Sequence, residues 1–299
     1  MRAVAAWTGL ALLALTALGT WATRPQTIAP EDIPRHVPDA ENGEIVFHAG
    51  GCASCHGANL AGGLAIASPV GTFHVPNITP DPRTGIGRWG LPDFINAMKF
   101  GVSPTGKHYY PAFPYTSYTR MTLTDLIDLK AYLDTFTPVE ARAPDHRLGF
   151  PWNIRRGIGL WKRLYLDPRP VVPIRSGDPQ LERGRYLVES AGHCAECHTS
   201  RDRFGGLRIA DWLAGAPSLD GEGRVPNITP HRDGLADWSE RDIVRYLKSG
   251  FTPDYDTVGG SMTEVQENLA QLPDDDLAAI AAYLKAIPPL PNPSDRAGG

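Results

Sequence analysis

The four cysteines of this 299-residue chain form two copies of one pattern, in which two residues separate a cysteine pair and a histidine follows at once. The copies are Cys52, Cys55 and His56, and Cys194, Cys197 and His198. Cys-x-x-Cys-His is the attachment sequence of c-type haem. The two thiols add to the vinyl groups of one porphyrin, and the histidine becomes the proximal ligand of the iron. The pattern predicts two covalently bound haem c groups.

A zinc site and a redox disulfide are the alternatives. Structural zinc requires four ligands per site, whereas these pairs lie far apart in the chain and each has its own histidine. A thioredoxin-like pair would accompany a βαβ pattern and would not require the histidine. Two such motifs in a chain with no other cysteine favour haem over both alternatives.

A proximal histidine leaves one axial position on each iron, and a methionine could fill it. Met1 lies in the apolar N-terminal stretch, and Met98 lies in a predicted helix where we expect core packing. Met121 and Met262 follow their proximal histidines at almost the same separation, in predicted loops before the last helix of each half. We therefore predict that they are the distal ligands; an ordinary buried thioether is the alternative. His108 is a rival to Met121.

This ligand set points to electron transfer. His/Met ligation is typical of cytochromes that carry electrons, and a six-coordinate iron has no open place for a substrate. The alternative is a catalytic dihaem oxidoreductase, either peroxidase-like or a small-molecule oxidase, in which one axial ligand is labile. We expect the free ring nitrogens of the proximal histidines to donate to the carbonyls of Pro69 and Pro217.

The elements that must position these residues occur twice. PNITP recurs at 76–80 and 226–230, and DLIDLKAYL near residue 125 matches DLAAIAAYL near residue 276. The final helices have apolar residues at helical spacing, and no segment shows convincing strand alternation. The sequence predicts an all-α protein with two tandem domains, each built as helix, haem motif, loop, helix, loop and helix. The PNIT stretch is expected either to line the haem or to support the loop.

Residues 3–23 are uncharged and follow Arg2. That length suits a transmembrane helix, and a cleaved secretory signal is the alternative. Either interpretation exports the rest of the chain, so we expect it to be periplasmic, N-terminally anchored to the inner membrane or released from it after cleavage. The formal net charge of −4 does not indicate a nucleic-acid partner.

The chain is therefore divided into a membrane anchor or signal segment (1–24), a Pro-rich tether (25–39), a first domain (40–138), a linker (139–178), a second domain (179–290) and a C-terminal tail (291–299). The linker is basic and contains interleaved aromatic residues, including Phe150, Trp152 and Trp161. It is expected to be either a strap between the domains or a docking surface for anionic headgroups or an acidic partner.

Several extended motifs resemble one known family. These are CASCHG, PNITPD, GVSPTGKHYYPAFPYTSYTRMT, LGFPWNIRRG, GHCAECHTSR and GGSMTEVQENL. Together they are similar to the cytochrome c subunits of membrane-bound periplasmic dehydrogenases for alcohols, aldehydes and sugar acids. The resemblance covers about residues 40–290.

The resemblance implies two class I cytochrome c domains after the N-terminal hydrophobic helix. It also implies a dehydrogenase subunit as electron donor and quinone, an oxidase or another cytochrome as acceptor, at the membrane. It pairs His56 with Met121 and His198 with Met262. It places Gly43 and Phe47 against Tyr132, and Gly184 and Val188 against Tyr283. Members of the family often have a second methionine where this chain has Phe113.

Overall fold

The computed structural model describes residues 7, 13–14, 16–174, 177–218 and 223–293, and the two halves contain the same succession of helices. The first half contains α1 (Ala40–Ala49), α2 (Cys52–His56), α3 (Leu91–Phe100), α4 (Tyr115–Tyr118) and α5 (Leu123–Leu133), and α6 (Ile158–Tyr165) lies in the linker. The second half contains α7 (Pro179–Tyr186), α8 (Ala195–His198), α9 (Glu240–Ser249), α10 (Met262–Leu269) and α11 (Asp274–Ala286). A π-helical turn, Leu187–Ala191, follows α7 directly.

The first and last helices of each half cross at a glycine, as expected. A Cβ atom on Gly43 would lie 2.1 Å from the carbonyl oxygen of Asp128 and 2.8 Å from Cβ of Tyr132. On Gly184 it would lie 1.9 Å from the carbonyl oxygen of Ala279 and 2.8 Å from Cβ of Tyr283. Only glycine permits this approach of two backbones, so each crossing is fixed by one residue.

Local capping sets the helix ends. The Thr122 hydroxyl accepts from the backbone N–H of Asp125 at 3.1 Å and caps α5. Ser239 and Asp242 form a reciprocal capping box at the start of α9. The middle helices α3 and α9 both end at a left-handed glycine, Gly101 with φ 57° and Gly250 with φ 77°.

The prediction of an all-α protein was wrong in one detail, although the fold is mostly helical. Strands β1 (Ala65–Ser68) and β2 (Gly71–His74) form an antiparallel hairpin, which β3 (Arg147–Leu148) extends. A smaller pair, β4 (Ala216–Pro217) and β5 (Arg224–Val225), lies in the second half. These strands have two to four residues each, too few to show a sequence period.

Residues 1–6, 8–12 and 15 of the predicted N-terminal anchor (1–24) lie outside the described residues. Residues 16–22 are helical, and no helix within the described part of the chain is long and apolar enough to cross a bilayer. The end of this segment rests on the linker, since the Arg163 guanidinium donates to the carbonyl oxygen of Ala22 and lies over the ring of Trp21.

The linker joins the two halves, which favours the strap interpretation. The buried Lys162 ammonium on α6 donates to the carbonyl oxygens of Phe100 and Gly101 in the first half. The neighbouring Trp161 indole donates to the carbonyl oxygen of Phe204 in the second half, at 2.9 Å. Leu160 and Leu164 on the same helix are 55% and 71% exposed.

Candidate functional site

The first Cys-x-x-Cys-His motif forms its own short helix, α2. Gly51 precedes it in a left-handed conformation with φ 54°, which turns the chain sharply between α1 and α2. The Nδ1–H of His56 donates to the carbonyl oxygen of Pro76 at 2.8 Å. That bond fixes the ring and leaves Nε2 with its lone pair, as a metal-ligating histidine requires.

The second motif repeats this arrangement. The Nδ1–H of His198 donates to the carbonyl oxygen of Pro226, also at 2.8 Å. The expectation that Pro69 and Pro217 supply these carbonyls was wrong. The acceptors are the first prolines of the two PNITP segments, which fold back over the imidazoles.

Burial keeps both imidazoles neutral. It lowers the pKa of His56 to about 4, against which the Pro76 carbonyl acts weakly, and it also lowers the pKa of His198. A neutral imidazole can bind iron without first losing a proton, and therefore at any pH near neutrality.

The PNIT stretch supports the loop. Asn77 donates through Nδ2 to the carbonyl oxygen of Val139 at 2.7 Å, and its Oδ1 accepts from the backbone N–H of Thr79. Asn227 donates in the same way to the carbonyl oxygen of Leu290 at 2.7 Å, and its Oδ1 accepts from Thr229. Each asparagine thus ties the proline that holds the imidazole to the chain beyond the last helix.

The thiols fit haem c better than the alternatives. None of the four cysteines, all of which lie within the described residues, forms a disulfide. Burial raises the pKa of Cys52 and of Cys194 to about 12, so both are neutral thiols. Within the described residues no group of three or more His, Cys, Asp or Glu side chains could hold a metal ion. A zinc site of four such ligands is therefore not assembled there, whereas two thiols and a neutral imidazole are the groups that attach haem c and ligate its iron.

The two predicted distal methionines lie at different places in their halves. Met121 lies in the turn between α4 and α5, two residues before α5 begins, and is buried in the core. Met262 is the first residue of α10, well before α11, and is only partly buried. The equivalence on which the prediction for Met121 rested is thus absent.

His108 is already engaged at both ring nitrogens. Its Nε2–H donates to the carbonyl oxygen of Thr23 at 2.9 Å, and its Nδ1 accepts from the Lys162 ammonium at 3.2 Å. Burial lowers the pKa of His108. The ring therefore has no nitrogen left for iron, and it supports the linker instead.

The two haem motifs meet at the interface between the halves. The His193 ring donates through Nε2 to the carbonyl oxygen of Gly50 at 3.1 Å. His193 adjoins Cys194, and Gly50 lies two residues before Cys52, so the contact joins the starts of the two motifs.

Each motif also touches the loop region of the other half. Glu196, between the cysteines of the second motif, accepts hydrogen bonds at 2.8 and 3.1 Å from the hydroxyls of Thr116 and Ser117 on α4. Asn268 on α10 donates to the hydroxyl of Ser54, between the cysteines of the first motif, at 3.1 Å. Sequence reasoning missed these contacts because residue spacing within one half carries no signal for pairing between halves.

Comparison with known proteins identifies the two halves. The family model for cytochrome c matches residues 40–137 and 181–288. A protein named "Diheme cytochrome c-type" from Cereibacter sphaeroides is 49% identical over 292 residues, which are 94% of this chain and 97% of that protein.

Other relatives are subunits of dehydrogenases. The fructose dehydrogenase cytochrome subunit of Gluconobacter japonicus is 38% identical over 89% of this chain and 56% of its own length. The cytochrome c subunit of the quinone-dependent alcohol dehydrogenase of Gluconacetobacter polyoxogenes is 39% identical over 85% and 58%. The chain thus spans little more than half of these two relatives.

Proposed function

The chain belongs to the cytochrome c family and carries two covalently bound haem c groups, and from this premise we propose that it relays electrons singly from a dehydrogenase subunit towards the respiratory chain. The observation that carries the proposal is the interface at which the two haem motifs meet. Electron tunnelling weakens steeply with distance, so two redox groups attached on either side of one interface can exchange electrons within one molecule.

Haem c, when bound, would supply one-electron redox chemistry. The chain supplies rigid attachment and a fixed environment. One group would be held by the thiols of Cys52 and Cys55, and the other by those of Cys194 and Cys197. His56 and His198, kept neutral by burial and oriented by the carbonyls of Pro76 and Pro226, would be the proximal ligands. Met262, which is partly buried against the core, would be the distal ligand in the second half.

The partners are inferred from the relatives. Dehydrogenase cytochrome subunits align with most of this chain, which supports a dehydrogenase as the donor. Quinone, an oxidase or another cytochrome would accept the electrons.

We place the protein at the periplasmic face of the inner membrane. Leu160 and Leu164 point outward from α6, whose Arg163 also binds the end of the N-terminal apolar segment. A basic helix with outward leucines next to such a segment suits a surface of anionic headgroups. Changing both leucines to Glu in protein that retains residues 1–24 should weaken binding to anionic vesicles if the surface docks there, whereas equal binding would leave the N-terminal segment as the only contact.

Rapid photoreduction of the holoprotein tests the relay. One electron is delivered per molecule, and the spectra of the two haems are followed as the electron redistributes. We expect redistribution within one molecule at a rate independent of protein concentration. The double variant Asn268→Ala with Thr116→Ala should slow it, because it removes the hydrogen bonds of Asn268 to Ser54 and His48 and that of Thr116 to Glu196 across the interface.

Gln271→Ala is the matched control, since Gln271 lies just beyond α10 and, among the described residues, its side chain bonds to Glu267 in its own segment. Electrons that stay on the haem they first reach, or that redistribute only through collisions between molecules, would contradict the relay.

A further inference from the structure

The two halves can be aligned residue by residue just after their middle helices. The backbone N–H of Ser103 donates to the carbonyl oxygen of Lys107, and that of Thr252 donates to Asp256. The backbone N–H of Tyr109 donates to Gly101, and that of Val258 donates to Gly250. These are the same two bonds in the same turn, so Tyr109 and Val258 are equivalent residues.

Four residues further on, the equivalent positions are Phe113 and Met262. Both side chains are partly buried and pack against the core. The methionine predicted to ligate the second iron therefore has a phenylalanine as its counterpart in the first half. A phenyl ring has no lone pair for iron.

Met121 corresponds to a different residue, Leu272. Its backbone N–H donates to the carbonyl oxygen of Tyr118, just as that of Leu272 donates to Leu269. Each lies two residues before its final helix, and the two side chains are 2% and 1% exposed. The Lys99 ammonium fixes the turn around Met121 by donating to its carbonyl oxygen. Met121 thus fills a core position that an aliphatic residue fills in the other half.

The similar separations of Met121 and Met262 from their histidines have a separate cause. The proximal histidine lies 20 residues before its carbonyl partner in the first half and 28 residues before it in the second. The longer loop in the second half increases the number of residues between His198 and Met262. Met121 lies beyond Phe113, the counterpart of Met262, by a similar number of residues, so the two separations agree by coincidence.

The surroundings of Phe113 are aromatic. Its ring meets the rings of Tyr109, Tyr115 and Tyr118 at centroid distances of 6.0, 6.2 and 5.7 Å, each close to edge-on. His108, the nearest imidazole in this loop, has both nitrogens occupied. An uncharged ligand is compatible with such a lining, whereas an anion would lose its hydration there.

We propose that the iron held by His56 has no thioether ligand and binds small neutral ligands such as carbon monoxide, while Met262 closes the iron held by His198. The inference rests on the proposed function in one respect only, that both motifs carry haem. On this proposal the first half has a ligand-binding site, and both halves still relay electrons.

The experiment first counts covalent haem in the purified holoprotein as its pyridine complex. Fewer than two haems per chain would refute the premise, separately from the question of ligation. The dithionite-reduced protein is then titrated with carbon monoxide, and the near-infrared sulfur-to-iron band of the oxidised protein is quantified per haem. We expect one carbon monoxide and one thioether band per two haems.

Three variants decide the assignment. Phe113→Met should abolish carbon monoxide uptake and double the thioether band. Met262→Leu should double the uptake and remove the band. Met121→Leu should change neither.

The proposal would be overturned if the native protein showed a thioether band for both haems and Met121→Leu lost half of it. The absence of carbon monoxide uptake by the native protein would also overturn it. Phe113→Met provides an independent decision if Met121→Leu does not fold, because failure to gain a band or to lose carbon monoxide uptake would also overturn it.

Discussion

Replacing Gly184 by alanine should loosen the second half at its helix crossing. The added methyl group would lie 1.9 Å from the carbonyl oxygen of Ala279, a distance that no real contact sustains. Ordinary heavy-atom contact is about 3.5 Å, so α7 and α11 would have to separate by about 1.5 Å at this point.

The energetic cost follows from that displacement. A gap of about 0.5–1 Å already forfeits a quarter to a half of the dispersion energy of facing atoms. Alanine stabilises an exposed helix by about 1 kcal/mol relative to glycine, which offsets part of the loss. Overpacking of a core costs about 1–3 kcal/mol, and a clash with backbone lies at the upper end. We expect Gly184→Ala to lower the free energy of unfolding by about 3 kcal/mol.

Guanidinium unfolding of the holoprotein, followed by far-ultraviolet circular dichroism, measures this loss. Gly157→Ala is the matched control, because Gly157 has φ −59° and a Cβ there would meet no atom within 4 Å. It should stay within about 0.5 kcal/mol of the native protein or stabilise it slightly. A Gly184→Ala protein as stable as this control would refute the close-crossing argument, and Gly43→Ala should repeat the loss in the first half.

Three further predictions concern buried polar contacts. Glu189→Ala should lower the free energy of chemical unfolding by about 3–5 kcal/mol, because it leaves the N–H groups of Val171 and Val172 and the Tyr283 hydroxyl without their acceptor. Tyr283→Phe should lower it by only about 1 kcal/mol. Equal losses in the two variants would contradict this. Burial lowers the pKa of Lys162 to about 7 in the folded protein. Between about pH 7 and 10 the Lys162 amine is therefore protonated in the unfolded chain and neutral in the folded one, so the free energy of unfolding should rise with pH. Lys162→Met should flatten that rise, and an unchanged slope would contradict the argument. Asn227→Ala should lower the free energy of unfolding by about 2 kcal/mol, because the asparagine no longer donates to the carbonyl oxygen of Leu290. It should also raise the reduction potential of the second haem, because a loosened Pro226 carbonyl makes the His198 ring less basic. An unchanged potential in a spectroelectrochemical titration would contradict this.

The haem motifs could be predicted from sequence because their chemistry is local. Two thiols and a histidine within five residues define the attachment site whatever the rest of the chain does. The glycines at the helix crossings were found through the resemblance and are confirmed by the close backbone contacts at Gly43 and Gly184.

The partners of these residues could not be predicted in the same way. The carbonyl that accepts from His56 belongs to Pro76, and its place depends on how a long loop returns over the ring. The strands of that loop are too short to show a period. Chain separation also misled the comparison of Met121 with Met262, because loops of unequal length intervene, whereas the backbone hydrogen bonds align Met262 with Phe113.

Spectroelectrochemical titration of the holoprotein, with its covalent haem counted on the same sample, tests the central claim most directly. Two haem c groups per chain should take up two electrons in two reversible one-electron steps. A chain with a single haem, or one whose second haem cannot be reduced and reoxidised reversibly, would contradict the account of a dihaem electron relay.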